Sequence, residues 1–301
     1  MKQYLNLLKT VLAEGTRQAN RTGIDAITTT GEMMKFKMSD GFPAVTTKRL
    51  AFKAVKGELL GFLRAYDNAA DFRALGCNIW DQNANEDGID PLGNVVPNKW
   101  LTNPNRKGTD DLGRIYGVTW RGWRCADGST IDQVAVAIKT ILTNPENRRI
   151  IISGWRPDEF DQMALPPCHV MYEFTVNIAK NELNLAMFQR SCDMFLGVPF
   201  NVASASLMLH LFAKLTGLNA GSFTHFLVDT HIYTTSLEGV ATQLAREPFA
   251  LPTLKLSDNI KPLKKDATDD EIDRALRSIE PSDIELENYQ CHAAIKAPMA
   301  V

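Results

Sequence analysis

The chain has 301 residues, 45% of them hydrophobic, and a formal net charge of -2, so it can bury a large core but has no overall cationic field for nucleic acid or anionic lipid. Its five cysteines, Cys77, Cys125, Cys168, Cys192 and Cys291, are odd in number, scattered and never in a CxxC pair, which argues against a disulfide framework or a zinc ribbon. A small-molecule ligand held by local charge, in a reducing cytoplasm and without a metal, is the expectation.

Residues 2–14 place Leu5, Leu8, Val11 and Leu12 on one helical face before Gly15, which predicts an amphipathic helix rather than a signal peptide. Residues 52–66 repeat the pattern with Val55, Leu59, Phe62, Leu63 and Tyr66, but Glu58 falls on the same face. Such a carboxylate either snorkels from the edge of the core to meet a lysine, or is shielded to order water and move protons; the pattern leaves both open. From Trp80 to Gly113 the chain turns rich in Asn, Gly, Pro and Asp and loses any period, the mark of a surface excursion, placed at about 82–113. A helix is predicted at about 132–143, stopped by Pro145.

Strands follow at "IIIS", at "HVMYEFTV" with Val170, Tyr172, Phe174 and Val176 on one face, and at "ELNLAMFQR" with Leu183, Leu185 and Met187 alternating. "ASASLMLHLFAKLTG" is apolar nearly all round and ends at Gly217, so it reads as a buried helix; Pro199, Asn201 and Lys214 argue against a membrane span. "TDDEIDRALRSIEP" offers a capping box between Thr268 and Glu271. No internal repeat or interdomain linker interrupts the chain, which predicts one α+β domain over residues 1–301.

The candidate chemistry centres on "PPCH", where Cys168 stands behind two prolines and before His169. In an extended segment adjacent side chains point to opposite sides, so His169 would not take the thiol proton directly and activation would come from a cation. Arg148, Arg149 and Arg190 are available, although adjacent arginines on one strand also face opposite ways, and each has the plainer reading of a surface ion pair. Cys168 likewise has the plainer reading of a packed thiol. Arg190 with Ser191 in "QRSCD" supplies a guanidinium fork and a hydroxyl suited to phosphate. His231 and Tyr233, two apart in "VDTHIY", can share one ligand hydroxyl or form a core pair. Asn201, in an apolar stretch, offers a donor and an acceptor to a cyclic imide.

"PPCH", "QRSCDMFLGVPFN", "DTHIY" and the terminal "IKAPMAV", with "NRTGIDA", "GFPAVTTKRL", "NIWD" and "ENRRIIISGW", together resemble the thymidylate synthase family from the first helix to the last residue. The resemblance implies an α+β fold with a large mixed sheet packed against helices, a sheet-mediated homodimer, 2′-deoxyuridine 5′-monophosphate (dUMP) as substrate and methylenetetrahydrofolate as cofactor and one-carbon donor. By matching motif it implies Cys168 as nucleophile, Arg21, Arg190 and Ser191 on the phosphate, and Arg148 and Arg149 donated by the partner subunit. It gives Asn201 the pyrimidine edge and His231 with Tyr233 the sugar 3′-hydroxyl. Glu58, Trp80, Tyr116, His169 and Asp193 match positions that order water, contact folate and support proton transfer, and Leu196, Phe200 and Val301 match folate-side contacts, with the tail as a lid.

Some positions depart from the family pattern. Gly61 and Asn83 stand where tryptophans are usual, Leu227–Val228 where Gly-Gly is, "TTSLEG" follows Tyr233, and Ala51 replaces a common histidine. Gly61 is expected to leave space near the helix carrying Glu58. Water admitted there would turn the product from dTMP to 5-hydroxymethyl-dUMP, so a dUMP hydroxymethylase is the alternative, and a catalytically silent nucleotide-binding protein a further one. Asn201 and His169 favour uracil over cytosine.

Overall fold

The computed structural model describes residues 1–20, 22–89 and 93–297. Two site candidates, Arg21 and Val301, lie outside the described residues.

The main sheet has six strands, here β1 (Thr16–Gln18), β2 (Ala26–Lys37), β3 (Ile151–Ser153), β4 (His169–Asn177), β5 (Glu182–Asp193) and β6 (Asn219–Tyr233), in the spatial order β1-β2-β6-β5-β4-β3. All neighbours are antiparallel except β5 and β6, which run parallel. A parallel pair requires a crossover, and the apolar helix Gly197–Thr216 provides it, packing on both strands. That helix has the length of a membrane span, yet 78% of its most apolar window is buried inside the fold, so it serves as the core helix of a sheet-on-helix layer. Gly217, at φ 71°, closes it in the left-handed conformation that a glycine reaches without a Cβ clash.

Alternation along β5 turns Leu183, Leu185, Met187 and then Gln189 toward the helices. β4 departs from the simple alternation expected of it: its register against β5 shifts between His169 and Met171. The irregularity joins His169 to Tyr172, ring Nδ1 to hydroxyl at 3.0 Å, while Val170 is only half-buried. On the opposite face Met33, Phe226 and Phe188 are in register on β2, β6 and β5 and remain 59%, 42% and 40% exposed.

The first helix spans Lys2–Glu14 and buries Tyr4, Leu7, Leu8 and Val11, one position round from the expected stripe because Tyr4 reaches inward to donate to the Met194 carbonyl. The next spans Phe52–Leu63 and ends before Tyr66, which lies beyond its Arg64 cap. Helix Gln133–Thr143 starts at Asp132, whose side chain accepts from the Ala135 amide. Helix Asp269–Ser278 has the expected capping box between Thr268 and Glu271.

Residues 82–89 and 93–113 are held by polar contacts within the segment and to Arg73. Asn98 Nδ2 donates to the carbonyls of Gln82, Asn83 and Glu86. Buried Trp100 donates to the Asp111 carbonyl, and Arg73 grips both oxygens of Asp110. A short hairpin pairs Gly88–Ile89 with Val95–Val96.

Candidate active site

Two prolines shape the turn before β4. They have no amide hydrogen to give and hold the chain extended, so their carbonyls are open to a donor. Arg190 uses both, from Nε to Pro167 at 2.9 Å and from Nη2 to Pro166 at 3.0 Å, while its guanidinium lies 5.3 Å from the Trp155 ring. The Arg190 amide donates to the Cys168 carbonyl at 2.9 Å, and the Cys168 amide donates to the Tyr116 hydroxyl at 2.8 Å. Cys168 is thus half-buried, with its backbone held from two sides and a guanidinium clamped to the turn before it.

Tyr116 starts the short helix Tyr116–Arg121 and stacks on Phe62 at 4.9 Å. Its ring also lies 5.9 Å from that of Trp80, which connects Cys168 to Glu58, a residue on the same helix as Phe62 and only 5% exposed. Among the described residues no lysine pairs with Glu58, so it does not snorkel. Its partner is the Trp80 indole, which donates from Nε1 to Oε1 at 3.1 Å. Burial pushes the Glu58 carboxyl up to about 8 against the opposing pull of that hydrogen bond. A carboxyl group at that value exchanges protons near neutral pH.

The space expected beside Gly61 is absent. A Cβ added there would lie 2.3 Å from the Phe72 ring, so a fully buried phenylalanine occupies the volume, and Phe72 in turn packs edge-on to Phe62. Leu227 is buried in the core and stays in register with Gln189, while Asp229 aligns with Ser191, so the β5–β6 pairing runs unbroken past the bulkier pair. "TTSLEG" forms a short turn at Thr234–Ser236 leading into helix Leu237–Leu244.

His169 is 5% exposed, and burial lowers its imidazole to about 4 although a hydrogen bond with Asn201 opposes the shift. It is neutral at physiological pH. Its ring lies 5.4 Å from that of Tyr116, so Cys168, Tyr116, Glu58, Trp80, His169 and Asn201 form one connected cluster. Asn201 also accepts from Gln189 at 3.0 Å.

Pairing of β5 and β6 sets the rest of the site. Ser191 aligns with Asp229 and Asp193 with His231. His231 turns Nδ1 to the Asp229 carboxylate at 3.1 Å, and its Nε2, buried, has no hydrogen-bond partner among the described residues. Tyr233 sits edge-on to it at 4.9 Å. Asp193 Oδ1 accepts from the amides of Phe195 and Leu196 and so shapes the turn into the core helix, where Leu196 and Phe200 remain half-buried.

Arg148 and Arg149 are not brought to this cluster. They are exposed and precede β3, whose Ile151 pairs with Glu173 of β4, several residues along β4 from Cys168. At ~3.3 Å per strand residue they stand roughly 20 Å away. Arg148 instead borders an open surface with Thr175, Asn177 and Asn184.

Sequence reading missed two polar residues of the site. Gln189 continues the inward alternation of Leu183, Leu185 and Met187, and a polar side chain at an inward strand position was the available signal. Lys48 is 6% exposed, donates to the Phe195 carbonyl and lies 3.7 Å from the Phe195 ring. Burial lowers its amine to about 8, with Asp193 opposing.

Fold and site together define a class: an α+β enzyme whose candidate site is a connected cluster of a cysteine, a buried carboxyl group raised to about 8 and an amide. Across residues 2–301 the chain matches the family model described as thymidylate synthase. It is 42% identical to the thymidylate synthases of Pseudomonas syringae pv. tomato and Pseudomonas putida over 345 aligned positions, covering 100% of each chain. It is also 42% identical to that of Coxiella burnetii over 301 positions, again covering 100% of each. The chain belongs to the thymidylate synthase family.

Proposed function

We propose that this chain transfers a one-carbon unit from methylenetetrahydrofolate to carbon 5 of dUMP, giving dTMP and dihydrofolate. The observation that carries the reading is the cluster in which Tyr116 holds Cys168 and meets both Trp80, bonded to Glu58, and His169, bonded to Asn201, in a chain that aligns end to end with thymidylate synthases.

Uracil is a weak carbon nucleophile. Addition of the Cys168 thiolate at ring carbon 6 moves electron density to carbon 5 and to the carbonyl oxygen at carbon 4, dividing one hard step into easier ones. Asn201 donates to that oxygen, and removing one such preorganised donor typically costs ~3 kcal/mol of transition-state stabilisation. Glu58, with its carboxyl near 8, supplies and recovers the proton through ordered water, and buried, neutral His169 helps hold that water. Tyr116 fixes the Cys168 backbone and assists removal of the carbon 5 proton. Arg190, Ser191 and Arg21 bind the phosphate. His231 offers its unpartnered Nε2, with Tyr233 beside it, to the sugar hydroxyl.

Trp80, Asp193, Leu196 and Phe200, with Val301 as lid, would hold methylenetetrahydrofolate. The half-buried apolar side chains beside a carboxylate fit a flat ring system with a hydrogen-bonding edge. When bound, it supplies the one-carbon unit and the hydride that completes the methyl group. The chain's part is to exclude water, and Phe72 filling the space beside Gly61 supports methyl over hydroxymethyl transfer.

A homodimer completes the reading. The exposed band of Met33, Phe226 and Phe188 is the apolar surface that a second sheet would cover, and Arg148 and Arg149, remote from their own Cys168, would reach the partner's phosphate site. The whole chain acts as one catalytic domain, with 82–113 as a surface excursion, in a reducing cytoplasm that keeps Cys168 a thiol.

Incubation with dUMP and methylenetetrahydrofolate, followed by mass spectrometry of the nucleotide and absorbance of dihydrofolate, tests the reaction. Equimolar dTMP and dihydrofolate are expected; a product heavier by one oxygen without dihydrofolate would overturn the proposal.

A further inference from the structure

Gln189 is 2% exposed, and a buried primary amide must place two N–H donors and an acceptor. Its Nε2 lies 2.9 Å from the Ser191 carbonyl and 3.0 Å from Asn201 Oδ1, so both hydrogens go to oxygens. Its Oε1 lies 2.8 Å from Nε2 of His225 on β6, a residue with no exposed surface. Turning the amide over would set Oε1 against the Ser191 carbonyl, two acceptors at hydrogen-bond distance. His225 must therefore donate, because an amide oxygen only accepts, and the proton sits on Nε2. Its Nδ1 is buried without a partner among the described residues, consistent with the bare nitrogen of that tautomer. Burial drives the imidazole down to about 3, so the ring is a neutral, single-sense donor.

The consequence reaches Asn201. Its Oδ1 accepts from Gln189 Nε2, so the oxygen end of the amide, not the amino end, is the one set against Gln189. Uracil presents an N–H at position 3 and an oxygen at carbon 4; cytosine presents a bare nitrogen and an amino group. An amide held in one sense matches the first edge and opposes the second.

The geometry points to His225 as a positioning residue that fixes, through Gln189, the sense in which Asn201 presents its amide, and so sets the preference for uracil over cytosine nucleotides. This rests on the proposed placement of Asn201 at the pyrimidine edge. His225 touches no reacting atom. Without its donor the Gln189 oxygen is buried unpaired, and the rotamer that orients Asn201 loses population by about tenfold or more.

The test uses the full-length protein and three variants: His225→Phe, which keeps a ring without the donor; His225→Gln, whose amide nitrogen reaches the place of Nε2; and His225→Asn, whose shorter amide does not. Calorimetry gives Kd for dUMP and for dCMP, turnover gives kcat and KM for dUMP, and thermal melting reports folding. In His225→Phe the dCMP-to-dUMP Kd ratio is expected to fall about tenfold, with KM for dUMP rising more than kcat falls. His225→Gln is expected to restore both. His225→Asn, smaller and polar, should behave like His225→Phe and replaces it if that variant fails to fold. Unchanged discrimination in His225→Phe or His225→Asn, equal loss in His225→Gln, or no nucleotide preference in the parent protein would overturn the assignment. Failure of the parent to form dTMP while still discriminating the two nucleotides would instead overturn the proposed reaction alone.

Discussion

Glu58→Gln separates stability from catalysis. The carboxyl rises from an ordinary 4.5 to about 8 on folding, chiefly through burial. An acid whose pKa is raised by folding holds its proton longer in the folded than in the unfolded chain, so stability is full below the unfolded value and is lost as pH rises through the window between the two. A shift of this size gives a loss of about 1 kcal/mol by pH 5 and about 4 kcal/mol by pH 8. Glutamine keeps the shape and accepts from Trp80 without the titration, so Glu58→Gln is expected to gain on the parent by about 3 kcal/mol between pH 5 and pH 8. Urea unfolding of both proteins at equal concentration across that range measures the difference. In the same samples kcat is expected to fall about 10²-fold or more, because the proton relay is gone. A stability difference that stays flat with pH would refute the assignment of a carboxyl raised by burial, whatever happens to the rate.

Mixing inactive Cys168→Ser with inactive Arg149→Ala and allowing subunits to exchange is expected to restore up to about a quarter of parental activity, through the one intact site of each mixed dimer; absence of recovery in confirmed heterodimers would contradict donation across the interface. Phe72→Ala opens the volume beside Gly61 and is expected to lower stability by about 3–5 kcal/mol in urea unfolding and to admit water, seen as 5-hydroxymethyl-dUMP in the product mass spectrum. His231→Ala is expected to raise KM for dUMP about tenfold while leaving KM for its 3′-deoxy analogue little changed, since only the former has the hydroxyl to lose.

Local patterns in the sequence located much of this. Thr268 and Glu271 announced their capping box, Gly217 the end of the core helix, and Leu183, Leu185 and Met187 the inward face of β5. Spacing alone left Glu58 and Cys168 open between ordinary and chemical readings, because the deciding facts are long-range: the indole of Trp80 on one and the hydroxyl of Tyr116 on the backbone of the other. The irregularity between His169 and Met171 was invisible to a rule of strict alternation. Phe72, eleven residues from Gly61, shows the same limit, since a missing side chain leaves a hole only if no neighbour turns into it. Gln189 and His225 look like routine strand residues until β5 and β6 are set side by side.

The most direct measurement is incubation of the protein with 5-fluoro-dUMP and methylenetetrahydrofolate, followed by intact mass and peptide mapping. Fluorine at carbon 5 cannot leave as a proton does, so the expected result is a stable adduct of protein, nucleotide and folate on the peptide carrying Cys168, absent in Cys168→Ser. Turnover of dUMP to dTMP with no such adduct, or an adduct mapped to Cys192 or another cysteine, would contradict covalent catalysis by Cys168.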